Sequence, residues 1–218
     1  ERSWLFKSIR MRFPNGKNEN VIKLLESLYS YTTTALTETP DDKFEITVGV
    51  RQGGPESPML YNLYMDFVMR IYLNECEKEG IKFLKLKYKI PESASSTSKT
   101  TMGSFTLDWS GYADDLLILF EDENSLRRGV TILDETFKRY RLNINESKTK
   151  TMILNQQYED RHYPASIATL RGNPLENVKT YRYLGCEIKF NEHTTGEAEL
   201  NLRSDAAECK FYSLARSM

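Results

Sequence analysis

Two adjacent carboxylates, Asp114 and Asp115, stand directly before a run of five large apolar residues at 116–120. The run has the length and composition of a strand, and residues 105–109 alternate roughly between apolar and polar side chains. We therefore predict a hairpin that carries both carboxylates at its turn, with a second strand that is buried on both faces. Periodicity alone does not exclude a short helix for the apolar run.

The carboxylate pair has two interpretations that residues 111–120 alone leave open. Ionised carboxylates are costly to bury and two of them repel each other, so a buried pair requires a cation beside it. No Lys, Arg or His lies within several residues on either side, so that cation would come from elsewhere in the chain or be a bound Mg²⁺, which favours carboxylate oxygens. The alternative is a solvated Asp-Asp turn without a chemical role.

A second unusual stretch lies at residues 49–58, where Gly and Pro are interspersed with polar residues. Because glycine has no side chain, the backbone can pass close to a ligand at Gly53 and Gly54. The alternative is that Gly54 and Pro55 serve only to reverse the chain before the longest predicted helix, which begins near Pro58.

Helices and strands alternate irregularly along the chain. Apolar residues at helical spacing predict helices at 3–12, 21–29, 58–77, 121–139 and from 196 onward. Alternating or β-branched stretches predict strands at 32–36, 44–48, 81–90, 149–154, 178–183 and 186–190, and the Ser-rich stretch at 91–99 predicts a loop. The pattern indicates an α+β domain, in which an antiparallel sheet carries helices on one face.

Composition excludes several classes of protein. The chain has 218 residues, 39% hydrophobic and 28% charged, with a net charge of −1, which is typical of a folded globular protein and not of a uniformly basic nucleic-acid binder. No apolar run approaches the ~20 residues of a membrane-spanning helix. The three cysteines and two histidines make a zinc cluster improbable and indicate free thiols in a reducing, intracellular compartment. A nuclear location does not follow from the sequence.

Four motifs follow one another along the chain, at residues 51–58, 112–115, 142–149 and 183–185. This set resembles reverse transcriptases of the non-LTR retrotransposon type. The resemblance implies the palm of a right-hand polymerase, incomplete at the N-terminus. It assigns residues 1–48 to the connection between fingers and palm, 49–190 to the palm, and 191–218 to the start of a thumb helix.

The resemblance also implies roles for individual residues in RNA-directed DNA synthesis with Mg²⁺ or Mn²⁺. Asp114 is the first expected metal ligand, and Asp115 reaches the same ions only if the turn redirects it, since neighbouring strand residues point to opposite faces. Lys148 is expected near the incoming triphosphate, as a proton donor or a balancing charge. The nucleotide and template pocket would comprise Arg51, Gln52, Gly53, Gly54, Pro55, Tyr112 and Ala113. The primer grip would comprise Tyr183, Leu184 and Gly185, for which a purely structural β-turn is the alternative.

The implied partners are an RNA template, a DNA primer and deoxynucleoside triphosphates, without a membrane. The family carries a further metal-binding Asp upstream of the bend, and nothing in residues 1–48 matches its motif. We therefore expect a fragment that lacks one metal ligand and one palm strand, leaves a strand edge unpaired, and is inactive alone. A decayed or repurposed domain that binds nucleic acid without catalysis is the alternative. A Ca²⁺ loop at 121–124 is excluded, because the alternating ligands and central Gly are absent.

Overall fold

The computed structural model describes residues 2–16, 18–30, 32–35, 43–46, 48–89, 102–154 and 163–189. The chain divides into two compact units, Glu1–Ile144 and Asn145–Met218. The first unit mixes helices with strands, and the described part of the second consists of short strands and turns. This is the α+β composition that the sequence predicts. The predicted loop at 91–99, the helix from 196 onward and the thumb range 191–218 lie outside the described residues.

Four α-helices form in the described part of the chain, each where the spacing of apolar residues predicts one. They are α1 (Arg2–Arg12), α2 (Glu19–Tyr29), α3 (Ser57–Lys78) and α4 (Glu123–Arg139). Arg10 joins α1 to α2 by forked hydrogen bonds to the carboxylates of Glu19 and Glu26, and these bonds lower the pKa of both carboxyl groups. No helix of the described residues is long and apolar enough to cross a membrane.

The strands pair two by two. They are β1 (Thr33–Ala35), β2 (Lys43–Glu45), β3 (Leu84–Lys89), β4 (Met102–Leu107), β5 (Trp109–Tyr112), β6 (Asp115–Ile118), β7 (Lys150–Thr151), β8 (Thr169–Leu170), β9 (Asn173–Pro174), β10 (Glu176–Asn177), β11 (Thr180–Tyr183) and β12 (Cys186–Lys189). Five pairs are antiparallel hairpin partners, whereas β7 pairs with β10 in parallel.

This arrangement differs from the single antiparallel sheet expected from the sequence. The β3–β4 and β5–β6 ladders meet only through an isolated bridge between Phe83 and Phe120. Leu119 donates its N–H to Asp108 O and accepts the N–H of Leu84, both at 3.0 Å. These bonds link the two ladders at one point, and the described strands otherwise form separate two-stranded ladders.

Helix α3 is the centre of the first unit's core. Val68, Met69, Tyr72 and Cys76 are fully enclosed, at 0% exposure. The sequence predicts one apolar face, but α1 and α4 both pack against α3, so apolar side chains around more of the helix are removed from water. Burial raises the pKa of the Cys76 thiol to about 11.

Helix α4 is fixed to the same core at its start and along its length. Asp122 Oδ1 accepts the Ser125 N–H at 2.7 Å, which caps the helix and lowers the pKa of Asp122. Ser125 Oγ accepts the Lys82 N–H at 3.1 Å. At Gly129 a Cβ atom would overlap the Phe120 ring, so glycine lets α4 approach the chain that continues from β6.

In the second unit, one tyrosine joins segments that are distant in sequence. The Tyr163 hydroxyl accepts the Ile153 N–H at 3.0 Å and donates to Val178 O at 2.8 Å. Leu170 and Leu175 are buried nearby in the chain, at 1% and 2% exposure. The unit therefore has its own small core and its own partly buried hydrogen bonds.

Candidate metal centre

The Asp114–Asp115 pair lies at the tip of the β5–β6 hairpin. Tyr112 pairs with Asp115, so the loop contains two residues, Ala113 and Asp114. The hairpin is as predicted, but Asp115 lies outside the turn: it is the first residue of β6. The last pair of the ladder is Tyr112–Asp115, whereas a turn made of Asp114 and Asp115 would put the last pair at Ala113 and Leu116.

Residues 112–115 are all exposed, and Tyr112 keeps 68% of its accessible surface. The carboxylates therefore remain in contact with water, and the argument that a buried pair demands a neighbouring cation does not apply to them. The exposed tip presents two hard oxygen donors to an ion or a phosphate that approaches from solvent.

The backbone at the tip is unusual. Ala113 has φ 54°, and Asp114 is not among the residues with positive φ. Positive φ at the first loop residue alone is the sign pattern of a type II′ turn, in which that residue is normally glycine. An alanine in this region costs on the order of 1–2 kcal/mol. The tip therefore keeps a residue that turn formation alone would not select.

The base of the hairpin packs against the core by one face only. Leu116, Ile118 and Phe120 contact the core cluster, and all residues from 116 to 120 are partly exposed. The prediction of a strand buried on both faces is therefore wrong for the described structure. Side chains alternate along a strand, and only one set of them meets the helices.

Tyr61 connects the hairpin with the stretch before the glycine-rich bend. It lines a cavity of about 100 Å³ together with Gly49 and Val50. Its pKa is raised, first by burial and then by the negative charge of Asp114. The first turns of α3 thus bring a phenol into the electrostatic field of the first predicted metal ligand.

The bend itself begins as a tight turn. Gly54 donates its N–H to Arg51 O at 3.2 Å, and Gly53 has φ 81°, which matches a type II turn with glycine at its third position. At Gly54 a Cβ would lie 2.7 Å from Ser57 Oγ. Both glycines therefore have a structural reason in addition to the predicted role in binding, while Arg51, Gln52 and Pro55 are exposed.

Lys148 lies in the second unit, in a turn that begins at Asn145. Its backbone N–H bonds to Asn145 O at 3.2 Å, and its side chain is exposed. Within the part of the chain that the structure describes, its ammonium has no ion pair. The residue is therefore available to a ligand, as the prediction requires.

The predicted primer-grip residues form the tip of the β11–β12 hairpin, also in the second unit. Tyr183 pairs with Cys186, and the loop residues Leu184 and Gly185 have φ 49° and 86°. Two positive φ values with glycine second define a type I′ turn. Tyr183 is half-buried, and Leu184 is 50% exposed.

The predicted site residues thus occur in two groups. The hairpin tip and the bend belong to the first unit, whereas Lys148 and residues 183–185 belong to the second. Among the described residues, no group of three or more His, Cys, Asp or Glu side chains gathers to hold a metal ion. Metal binding by the acidic pair at 114–115 therefore stays a prediction.

Sequence reasoning missed Tyr61 and a second tyrosine, Tyr29, whose hydroxyl meets Arg51, Glu56 and Ser57. Both lie at helical spacing among apolar residues, where a tyrosine is indistinguishable from a core aromatic. The signal that was present is the phenol itself, because a buried tyrosine needs a hydrogen-bond partner.

Comparison with known proteins adds to this geometry. The model of the family described as reverse transcriptase (RNA-dependent DNA polymerase) matches residues 5–188. A retrovirus-related Pol polyprotein from the type-1 retrotransposable element R2 of Nasonia vitripennis is 23% identical over 163 residues. That match covers 72% of the present chain and 14% of the relative, so the chain spans a small part of that relative's length. The range that the family model matches, 5–188, includes the hairpin tip, the bend, Lys148 and residues 183–185.

Proposed function

The chain belongs to the reverse transcriptase family, and on that premise we propose that it forms the metal-binding part of a polymerase palm. In this proposal the parent protein adds deoxynucleotides to a DNA primer on an RNA template by two-metal phosphoryl transfer. The functional ranges 1–48, 49–190 and 191–218 belong to the same proposal, as does an intracellular location.

One observation carries the proposal: an exposed pair of carboxylates occupies the second residue of a two-residue hairpin loop and the strand residue after it, and a strained alanine is the first loop residue. Backbone strain at a non-glycine residue persists where the surrounding structure enforces it, and such residues cluster at functional sites. Ala113, which has a positive φ, and Asp114 form the two-residue loop of the hairpin. The strand that follows this loop packs against the core.

The donor set at the tip fits a hard divalent ion. Asp114 and Asp115 supply carboxylate oxygens, the ligand type that Mg²⁺ and Mn²⁺ prefer. When bound, such ions neutralise triphosphate charge and activate the primer hydroxyl. Asp114 would be the first ligand, and Asp115, which starts β6, would be the second.

The other predicted site residues would bind the nucleic acid and the incoming nucleotide. Arg51 and Gln52 are exposed at the bend and would contact the template and the incoming nucleotide. Lys148 would donate a proton to the leaving pyrophosphate or balance its charge. Tyr183, Leu184 and Gly185 would hold the primer end.

We propose that the isolated chain is inactive. Asp114 and Asp115 are neighbours in the chain, and the described residues provide no cluster of three acidic or metal-binding groups. Two ions held against a triphosphate require more ligands than this pair supplies.

The second candidate function is binding of primer–template without catalysis, and the exposure of both carboxylates favours it, because water solvates them without a metal. To separate the two, the 218-residue chain and Asp114→Ala are compared for primer–template binding with Mg²⁺ and with EDTA. A polymerase palm predicts binding that Mg²⁺ strengthens in the wild type and not in the variant, while binding in EDTA stays equal. A binding-only domain predicts no difference between the two chains in either condition. Primer extension by the isolated chain would overturn the proposed inactivity alone.

A further inference from the structure

The hydroxyl of Tyr29 contacts several residues of the glycine-rich bend. Tyr29 ends α2 and is 2% exposed. Its Oη lies 3.1 Å from Glu56 Oε1, 3.1 Å from Ser57 Oγ and 3.4 Å from the Arg51 nitrogen. One buried oxygen on α2 therefore meets both ends of the bend, although 22 to 28 residues separate it from them in sequence.

The hydrogens in this cluster can be assigned from the number available. Ser57 Oγ donates to Arg51 O at 2.6 Å, which uses its single hydrogen. Ser57 Oγ then accepts from Tyr29, so the phenol hydrogen is shared between Ser57 and the Glu56 carboxylate. The phenol oxygen accepts the Arg51 N–H. Arg51 is thus held through both its N–H and its C=O.

Arg2 holds Tyr29 from the other side. Its Nη1 donates to Tyr29 O at 2.6 Å, and its guanidinium lies 5.2 Å from the centre of the Tyr29 ring. Its Nε donates to Gly49 O at 3.2 Å, just before the bend. The backbone is thereby fixed at Gly49 and at Arg51, on both sides of Val50.

We propose that Tyr29 is a positioning residue for the bend: it fixes the backbone of Arg51 from the protein interior so that the exposed Arg51 and Gln52 side chains face the nucleotide and template. The inference rests on the proposed function for the identity of that ligand. The positioning itself does not, because the contacts exist in the chain alone. Neither side chain hydrogen-bonds to another described residue.

Amide hydrogen exchange tests the positioning without nucleic acid. In Tyr29→Phe we expect the amides of Arg51, Gly54 and Ser57 to exchange about 5-fold faster or more, since all hydrogen bonds of the phenol to the bend are lost. Tyr64→Phe is the matched control: it removes a phenol hydroxyl that donates to Tyr140 O at 2.6 Å. Unchanged exchange at the bend in Tyr29→Phe, or equal acceleration in both variants, would overturn the inference.

Glu56 offers a second, milder test. Glu56→Gln keeps a side-chain oxygen that accepts from the phenol, whereas Glu56→Ala removes it. Bend exchange should remain near wild type in Glu56→Gln and rise in Glu56→Ala. If the two variants exchange alike, the phenol–Glu56 contact plays no part in positioning.

Nucleotide binding tests the consequence. With primer–template and Mg²⁺, we expect Tyr29→Phe to bind the duplex within about 2-fold of wild type. The additional stabilisation by the next complementary deoxynucleoside triphosphate should fall about 5-fold, and Tyr64→Phe should retain it. A loosened bend with full nucleotide stabilisation contradicts the link to nucleotide binding. A wild-type chain that binds no primer–template contradicts the proposed function, while hydrogen exchange still decides the positioning.

Discussion

The β5–β6 and β11–β12 hairpins close in the same way and differ at the tip. Each has a two-residue loop after a tyrosine, closed by the Tyr112–Asp115 or the Tyr183–Cys186 pair. The second uses Leu184-Gly185 with two positive φ values, while the first uses Ala113-Asp114 with one. In the β11–β12 loop, glycine takes one of the two left-handed positions and Leu184 takes the other, whereas the β5–β6 loop contains no glycine. The alanine and aspartate of the β5–β6 turn run against local preference, which fits the metal-binding role proposed for this tip.

The two hairpins also differ at the base. In β5–β6, Leu116 and Ile118 pack on the core, and Phe120 stacks on Phe83 with ring centroids 5.5 Å apart. No residue of either hairpin is fully buried, and the difference is that Leu116 and Ile118 belong to the large core cluster of the first unit. The β5–β6 tip therefore has no glycine and stands on a base that packs against the first unit's core, whereas the β11–β12 tip contains the glycine that its turn type favours.

The largest difference between the hairpins should be in metal binding. Asp114→Asn keeps the side-chain shape but removes the charge, and we expect Mn²⁺ affinity of the chain to fall about 100-fold, or roughly 2.7 kcal/mol. Paramagnetic resonance of free Mn²⁺ measures this directly. Glu187→Gln, on β12, should leave the affinity unchanged. Equal losses in both variants would mean that the metal is held by diffuse surface charge.

The packing of the β5–β6 hairpin against the core can be disrupted by a substitution at Gly129. Gly129→Ala places a Cβ against the Phe120 ring, and we expect it to lower the free energy of unfolding by about 2 kcal/mol, because the close-packed contact must open. Urea unfolding of the chain measures the change. Glu135→Ala, on the exposed side of α4, should change it by less than about 0.5 kcal/mol. A neutral Gly129→Ala would show that Phe120 is free to move and the base is not anchored.

The β11–β12 turn can be destabilised by a substitution at Gly185. Gly185→Ala meets no neighbouring atom within 4 Å, so its cost comes from the backbone at φ 86°. We expect about 1–2 kcal/mol of destabilisation in thermal unfolding. Leu184→Ala, which leaves the backbone preference unchanged, is the control. If the two variants melt alike, the turn conformation contributes no measurable stability.

The strained turn can be relaxed at Ala113. Ala113→Gly relieves the positive φ but increases the freedom of the unfolded chain, so we expect a net stabilisation of less than about 1 kcal/mol. Mn²⁺ affinity should decrease in the same variant, since the loop holds Asp114 less firmly. A destabilised variant with full affinity would contradict the interpretation of the tip as strained for function.

The smallest expected effect is the titration of Tyr61. A negative charge disfavours phenolate, so the pKa of Tyr61 is raised by Asp114 in addition to burial. Asp114→Asn should shift that pKa downward, while burial keeps it above the ordinary value. Labelled-tyrosine NMR, assigned with Tyr61→Phe, measures the shift. Glu187→Gln should not move it, and an unshifted pKa in Asp114→Asn would separate Tyr61 from the tip.

Local patterns in the sequence predicted the elements that local physics determines. The four helices follow from helical spacing, and the Leu184-Gly185 turn follows from glycine at the left-handed position. The hairpin at Asp114 was predicted from its flanking strands, but the position of Asp115 was not, since Ala-Asp is not a preferred two-residue loop.

Features that depend on tertiary contacts were not predictable in the same way. The parallel β7–β10 pair has two residues a side, too few for a sequence signal. Burial around more of α3 depends on α1 and α4 meeting there. The Tyr29 cluster joins residues 22 to 28 positions apart, and no short-range pattern indicates such a contact.

The β3–β4 ladder has a consequence for how this domain tolerates inserted sequence. Its six pairs end at Lys89 and Met102, so the backbone is already clamped on both sides of residues 90–101. Closing a longer segment there costs only about 0.6 kcal/mol for each doubling of its length. We expect this position to accept an epitope or a fluorescent reporter while the acidic hairpin keeps its register, which makes it the natural entry point for following the protein in living cells.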